Sequence, residues 1–386
     1  MDNLLEPLNE LVMVIDRTAG LADLYRSVHP DQQLARAAEE CEQEIKKVAT
    51  ELNMSRPLFE AVSALDVSGQ DDDTRRWVEH LLRDFRRAGV DKDEATRDEI
   101  SKLQEELVRI GQEFNRNILK DVRSIELESA TDLEGLPPDY IEAHKPGKDG
   151  KITITTDYPD YIPFMTYARN DTARLALYKE FRNRGWPAND QVLATLLEKR
   201  HELAKLLGYP DWADYVTEDK MIKTAQAAAA FIDKVARLAT PRADEDYQEL
   251  LERMKKEIPD ATEVGDWQKS WVEELVKRDA YSFDSQATRP YFAYRRVKQG
   301  VLDITSRLFG LTYRKSDAPV WHPQVEACEI LDGGEVIGRF FLDMHPRENK
   351  YKHAAAFPIQ SGVSGKRLPE AALVCNFPGG GEEPGY

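Results

Sequence analysis

The side chains best suited to bind a metal ion in this 386-residue sequence are its seven histidines. A catalytic zinc site often uses two histidines one helical turn apart, with a glutamate beside the first that takes a proton from zinc-bound water. The segment HELAK contains His201 and Glu202 in this arrangement, but Lys205 stands where the second histidine is needed. Because a cation repels a metal ion, we interpret His201 as a hydrogen-bonded, partly buried structural residue.

No two histidines of the sequence have this helical spacing, so local spacing predicts neither a metal ligand nor a catalytic residue. His345 and His353 flank a predicted turn and could meet in space, although turn and hydrogen-bonding roles are commoner for such histidines. The glycine run at positions 379–381 lacks the lysine and the serine or threonine of a phosphate-binding loop. We therefore predict an ordinary loop there.

The charge balance argues against two classes of partner. The chain carries 53 basic and 70 acidic side chains, which gives a formal net charge of −17. Nucleic acids and anionic membranes are bound by clusters of lysine and arginine, and no such cluster stands out. Three scattered cysteines, Cys41, Cys328 and Cys375, suit a reducing compartment better than a disulfide framework. With no signal-peptide pattern and no long apolar run, we expect a cytoplasmic protein without nucleic-acid or membrane partners.

The elements that would position functional residues are mainly helices in the first third of the chain. Between Asp93 and Lys120, apolar residues recur at steps of three and four with charged residues between them, which predicts one long amphipathic helix. Shorter stripes of the same kind run over 34–52 and 77–85. These patterns predict an N-terminal helical bundle.

The periodicity changes after Val122, where proline- and glycine-rich turns precede a short alternating stretch at 151–156 with Ile152 and Ile154 on one face. We place a domain boundary here, with 1–150 as an N-terminal helical lobe and 151–386 as a second domain. Helices resume at the N-cap residue Asn170, and a later helix ends at Leu207 before Gly208.

The last part of the chain is predicted to form a small sheet. Four β-rich runs occupy 325–331, 335–344, 351–359 and 371–377, and the first two are joined by a turn of the Asp-Gly-Gly type. We expect no remaining element to cover this sheet. Apolar residues such as Phe340, Leu342, Val374 and Phe377 would then be bare, and the chain would be prone to aggregate.

Several longer segments resemble the thimet oligopeptidase and oligopeptidase A family of zinc metallopeptidases. They are Tyr167–Met221, Arg289–Tyr313, and GRFFLDMHPRENKYKHAAAF from Gly338 to Phe357, followed by LVCNFPGG from Leu373. The third segment is the most specific, and the likeness extends along nearly the whole chain. The resemblance implies a mainly α fold, with the first part of a zincin-like, mostly helical peptidase domain that carries the small late sheet.

The same resemblance implies a zinc-dependent metalloendopeptidase that hydrolyses short peptides. In the family, the strand that resembles Leu373–Phe377 is followed by a helix bearing the HExxH motif and then by a glutamate ligand, and this sequence ends before them. We therefore expect an N-terminal fragment, inactive alone, whose partner is the missing C-terminal part of the same polypeptide. Zinc would bind the complete enzyme and not this chain. The alternative is a non-catalytic, truncated relative that binds peptides or another protein.

The resemblance also suggests a substrate-binding strand at Ala354, Ala355 and Ala356. A peptide that must lie extended can be held by backbone hydrogen bonds to the edge of a sheet, and small side chains leave room for it. The competing interpretation is that three alanines merely allow a helix to pack closely on the sheet.

Overall fold

Residues 3–377 are described by the computed structural model of this chain, and they are mainly helical. The α-helices are α1 (Leu5–Val28), α2 (Gln32–Asn53), α3 (Arg56–Ser63), α4 (Asp72–Ala88), α5 (Glu94–Lys120), α6 (Pro138–Ala143), α7 (Tyr158–Tyr167), α8 (Asp171–Arg182), α9 (Ala188–Leu207), α10 (Trp212–Thr217), α11 (Ala225–Glu257), α12 (Lys269–Tyr281) and α13 (Tyr294–Phe309). Short 3-10 helices occupy Ala130–Leu133 and Ser285–Phe292.

The strands form two sheets. Their bounds are β1 (Ser124–Leu127), β2 (Ile152–Thr155), β3 (Thr312–Lys315), β4 (Glu326–Asp332), β5 (Glu335–Asp343), β6 (Ala355–Gln360) and β7 (Glu370–Val374). Strands β1 and β2 pair antiparallel, and the other five form one sheet in the order β3-β4-β5-β7-β6. The predicted mainly α fold with a small late sheet is confirmed.

Capping residues mark the ends of several helices. The Asp71 carboxylate accepts a hydrogen bond from the backbone N–H of Thr74 at 2.8 Å, which caps α4, and Gly89 ends the helix at a φ of +97°. Asn170 caps α8 through the N–H of Ala173 at 3.0 Å, as predicted. The long stripe predicted from Asp93 to Lys120 forms the single helix α5.

The described residues divide into two compact units, each built from separated parts of the chain. One contains the described parts of Met1–Asn115, Asp190–Thr224 and Ile304–Cys375, and the other contains Arg116–Asn189, Ala225–Asp303 and residues 376–377. In the second unit, Ile152 and Ile154 of β2 are buried with Phe164 of α7 and Leu177 of α8. The proposed boundary near residue 150 stays a prediction.

The five-stranded sheet begins with the predicted hairpin. Gly333 and Gly334 connect β4 to β5 with φ angles of +57° and +95°, and left-handed values at two successive turn residues match the twist of a two-residue hairpin. Strand β5 pairs parallel with β7, and β7 pairs antiparallel with β6. Strand β3 was not predicted from the sequence, because it is short, carries two basic side chains and shows little apolar alternation.

The expectation that nothing covers this sheet is wrong, because α1, from the opposite end of the chain, packs on it. Leu24 and Val28 of α1 are buried in one cluster with Phe341 of β5, Phe357 of β6 and Val374 of β7. Leu342 is also buried, on the opposite face. Phe377, after β7, is exposed as predicted, and exposed apolar side chains also occur along the first half of α11, at Phe231, Ile232, Val235 and Leu238.

Candidate functional site

The predicted substrate-binding alanines lie at one end of the five-stranded sheet. Ala355 and Ala356 open β6, and Ala354 directly precedes it. Strand β6 is the last strand in the sheet order, and among residues 3–377 no strand pairs with its other side. The backbone groups on this side of β6 are therefore not used in the sheet.

The hydrogen bonds of the neighbouring strand show which backbone groups of β6 face outward. Toward β5, the carbonyl of Pro369 accepts from Arg339 N at 2.9 Å, and Cys375 N donates to the carbonyl of Asp343 at 2.9 Å. Because the backbone alternates along a strand, odd-numbered residues of β7 face β5 and even-numbered residues face β6. The backbone groups of Ala372 and Val374 therefore form the hydrogen bonds with β6.

Their partners in the register are Phe357 and Ala355, so these residues use their backbone groups inside the sheet. Ala356 and Pro358 lie between them and direct their backbone groups outward. Pro358 fits this assignment because it has no N–H to donate, and proline in a sheet occurs where its nitrogen faces away from the neighbouring strand. The outward N–H of β6 is therefore that of Ala356.

The three alanines differ in their surroundings. Ala354 and Ala356 are exposed, whereas Ala355 is half-buried against the cluster that contains Leu24 of α1. Helix α1 also limits the edge at its far end, since a Cβ atom on Gly20 would lie only 2.5 Å from the carbonyl oxygen of Pro358. The open stretch of the edge is thus the one that contains Ala354 and Ala356.

A buried ionic cluster forms between the end of β5 and the segment that leads to β6. The Asp343 carboxylate at the end of β5 forms two hydrogen bonds with Arg347, at 2.6 and 2.8 Å, and accepts another from Trp321 Nε1 at 2.8 Å. The ammonium of Lys350 lies 2.9 Å from Asp343 Oδ1. Lys350 and Asp343 are each only 1% exposed.

Lys350 also binds three backbone carbonyls. Its Nζ donates to the carbonyl oxygens of Asp343, His345 and Cys375 at 2.9, 2.6 and 2.6 Å. The Lys350 side chain thereby links three parts of the chain to one another: the end of β5, the segment that leads to β6, and the residue that follows β7. Arg347 adds a hydrogen bond to the carbonyl of Val28 at the end of α1, at 2.6 Å.

The electrostatics of this cluster favour ionised Asp343. Burial by itself would raise the pKa of the Asp343 carboxyl, but the hydrogen bonds from Arg347, Trp321 and Lys350 outweigh burial and hold the pKa below its ordinary value. Asp343, Arg347 and Lys350 lie in the most specific of the segments that resemble the family, but their role was not predicted from the sequence. The available signal was the close spacing of an acidic and two basic residues after a strongly apolar strand.

His201 does not have the predicted surroundings. Both His201 and Glu202 are exposed on α9, and the buried face of that helix is formed by Leu203, Ala204 and Leu207. The interpretation of His201 as a partly buried structural residue is therefore wrong. Its position is set by the helical repeat, which turns it away from the buried residues.

The other histidines and the glycine run were weaker candidates. His345 is half-buried, and His353 is exposed with its Nδ1 3.0 Å from the carbonyl oxygen of Ala354. Among residues 3–377, no group of three or more histidine, cysteine, aspartate or glutamate side chains could hold a metal ion. The glycine run at 379–381 lies outside the described residues.

The described helices are also too short or too polar to span a bilayer.

Comparison with known families agrees with the resemblance seen in the sequence. Residues 164–384, more than half of the chain, match Peptidase family M3. Residues 1–97 match the Neurolysin/Thimet oligopeptidase, N-terminal domain. Both matches confirm the predicted likeness to the oligopeptidases.

Individual relatives are similar over almost all of this chain. Oligopeptidase A of Escherichia coli (strain K12) is 27% identical over 406 residues, which cover 97% of this chain and 59% of the relative. From Arabidopsis thaliana, the organellar oligopeptidase A (chloroplastic/mitochondrial) is 27% identical over 415 residues, 99% of this chain and 52% of the relative. The probable cytosolic oligopeptidase A of the same plant is 26% identical, with 99% and 59% covered. The chain thus spans somewhat more than half the length of these relatives, and it belongs to peptidase family M3.

Proposed function

We propose that this chain forms the peptide-binding N-terminal part of a cytoplasmic, zinc-dependent oligopeptidase that hydrolyses short peptides. Family membership supports peptide hydrolysis, and the relatives named oligopeptidase A support short peptides as substrates. One Arabidopsis thaliana relative is named as probably cytosolic, although another is organellar. The observation that carries the proposal is the open edge of β6 at Ala354 and Ala356.

An open edge suits a substrate that is unstructured and variable in sequence. A peptide lying beside β6 would form backbone hydrogen bonds with the outward N–H and C=O of Ala356, which any peptide can supply. The exposed side chains of Ala354 and Ala356 are only methyl groups, so they leave space for the side chains of a bound peptide. Ala355 would contribute indirectly, by holding β6 against β7 and the buried cluster beneath it.

Zinc is the cofactor implied by the family resemblance. Its usual chemistry in such enzymes is to polarise a peptide carbonyl and to activate a water molecule. As the family resemblance implies, we assign its ligands to the C-terminal part of the complete enzyme. What this chain contributes, in our proposal, is the strand that aligns the peptide.

The variant Ala356→Pro tests the proposal directly. It removes the outward N–H of β6 while leaving the N–H groups that bond to β7, so we expect an intact fold and weaker peptide binding. The loss should be about tenfold for one backbone hydrogen bond and the added bulk. Fluorescence anisotropy with a labelled, unstructured octapeptide measures the affinity, and Ala356→Ser is the matched control that keeps the amide.

Ala355→Pro supplies the opposite comparison, because its N–H lies inside the sheet. This variant should lower the unfolding temperature, whereas Ala356→Pro should leave it nearly unchanged. Equal peptide affinity for the wild-type chain, Ala356→Ser and Ala356→Pro, with all three folded, would mean that β6 is purely structural.

A further inference from the structure

A cavity of about 410 Å³ lies within the second unit, beside α7, α8, α11 and α12. Its volume falls in the range of roughly 300–1,000 Å³ that is usual for small-molecule sites. Its charged lining residues are Arg169, Asp171, Arg174, Glu257, Glu274 and Arg278. Formal charges of the two signs are equal in number, so hydrogen-bond partners must decide which ligand it favours.

Two of the carboxylates are already engaged. Asp171 accepts hydrogen bonds from Arg174 Nη2 at 2.7 Å and from Gln268 Nε2 at 2.9 Å. Glu274, only 2% exposed, accepts from the backbone N–H and the hydroxyl of Ser285 at 3.2 and 2.7 Å. Neither carboxylate needs a ligand to satisfy it.

The third carboxylate, Glu257, is paired with Arg253 Nη2 at 3.0 Å. The guanidinium groups are less well satisfied. Arg174 is fully buried, and its Nε has no hydrogen-bond partner among the described residues. The carboxylates paired with Arg278 lie 3.6 and 3.8 Å away, beyond hydrogen-bonding distance. Arg174 Nε and the guanidinium of Arg278 are thus donors without a hydrogen bond from the described residues, which favours an anionic ligand.

Apolar side chains form another part of the lining. Trp271 lies under the guanidinium of Arg174, with 4.3 Å between the central carbon of that group and the ring centroid. Ile258 and Leu275 line the cavity as well. A ligand held here would place an apolar group on these side chains and its negative charge toward an arginine.

We propose that this cavity binds a small organic carboxylate that carries an apolar group, with Arg278 as its anionic contact. Arg278 suits this role because its side chain is 39% exposed and its guanidinium can reach an entering ligand. Arg174 and Trp271, which contact each other, line the same cavity. This role is independent of the peptide-binding role proposed for β6.

Ligand-observed NMR titration of the whole chain provides the test. The probe is N-acetyl-L-leucine, and N-acetyl-L-leucinamide is its matched control, with the same apolar group but no negative charge. We expect the carboxylate to bind and the amide to bind at least about tenfold more weakly, the effect of one charge-assisted hydrogen bond. Equal binding of both compounds, or binding of neither, would overturn the proposal.

Two variants locate the binding. Arg278→Gln should weaken the binding of N-acetyl-L-leucine by about tenfold. Arg242→Gln is the control, because Arg242 is an exposed residue of α11 outside the cavity lining, and it should leave the affinity unchanged. Ile258→Trp should obstruct the cavity without touching a charge, and Ile258 is exposed enough to accept the larger side chain. Unfolding temperatures confirm that each variant is folded. Unchanged affinity in both cavity variants would place the binding elsewhere and refute the assignment.

Discussion

Lys350 links the segments of the chain that surround the start of β6. Its ammonium is buried with four oxygen partners, one carboxylate and three backbone carbonyls, which belong to different segments of the chain. A buried charge is tolerated only when its partners are in place, and here the partners equally depend on the charge. Removing it takes a charged donor from the buried carbonyls of His345 and Cys375, whereas the Asp343 carboxylate keeps its hydrogen bonds from Arg347 and Trp321.

Lys350→Met should therefore destabilise the protein by about 1.5–3 kcal/mol, because buried backbone carbonyls lose a charged hydrogen-bond donor, although Arg347 still pairs with Asp343. Urea denaturation of the variant measures the change. Lys366→Met is the control, since Lys366 is exposed and its ion pair with Glu10 spans 3.7 Å, and it should change stability by less than about 0.5 kcal/mol. Equal effects of the two substitutions would contradict this role for Lys350.

His144 forms a pH-sensitive contact in the second unit. Its Nε2 lies 3.2 Å from Asp160 Oδ1, its Nδ1 donates to the carbonyl of Tyr140 at 2.8 Å, and its ring stacks on that tyrosine. Burial would lower the pKa of His144, but these two hydrogen bonds outweigh burial and raise the pKa above its ordinary value. The pKa of Asp160 is lowered, because its hydrogen bonds outweigh its burial.

Because the folded pKa of His144 is raised, its stabilisation is fully present below the unfolded pKa of about 6.5 and is lost as the pH rises through the folded pKa. Asp160 is ionised at these pH values. His144→Gln should therefore lower stability by about 1–2 kcal/mol near pH 5.5 and by less near pH 8.5. Urea denaturation at both pH values measures this, with the exposed His201→Gln as control. A pH-independent loss would show that the charge of His144 is unimportant.

At the scale of elements, the contact between α1 and β6 depends on the absence of a side chain at Gly20. A Cβ atom there would lie 2.5 and 2.9 Å from the carbonyl oxygens of Pro358 and Ile359. Both are backbone atoms in a paired strand, so they can move aside only by disturbing the sheet. The helix therefore lies close to β6 because position 20 is glycine.

Gly20→Ala should destabilise the protein by about 1–3 kcal/mol, since overpacking outweighs the better helix propensity of alanine. Gly111→Ala is the matched control on α5, where a Cβ atom would meet nothing within 4 Å. That substitution should stabilise the protein by about 0.4–1 kcal/mol. Thermal unfolding of both variants measures the difference. If both gain stability, α1 does not lie as close to β6 as the structure shows.

At the scale of the whole molecule, we predict that the 386-residue chain alone neither retains zinc nor hydrolyses peptides. No two of its histidines have helical ligand spacing, and Lys205 occupies the position needed after His201. Metal analysis after dialysis against zinc, together with a quenched-fluorescence peptide assay, measures both properties. Oligopeptidase A of Escherichia coli serves as the positive control. Stoichiometric zinc with chelator-sensitive cleavage would refute the prediction.

Local patterns in the sequence were enough to predict several of the elements. The stripe of α5, the capping residue Asn170 and the paired glycines before β5 each act over a few residues, so their outcome depends little on the rest of the chain. The family resemblance also came from contiguous segments. Elements of this kind, and the β-hairpin, could therefore be predicted without the structure, whereas α11, α12, β1 and β3 were not predicted.

The tertiary structure decided which surfaces are covered and which backbone groups are free. Helix α1 packs on a sheet whose strands lie about 300 residues further along the chain. Strand β6 has an open edge because β7 pairs with one side of it and no strand among residues 3–377 pairs with the other. The burial of Lys350 and the exposure of His201 likewise depend on packing between distant segments. No local pattern contains this information, because the free energy of burying a group depends on which distant partners surround it.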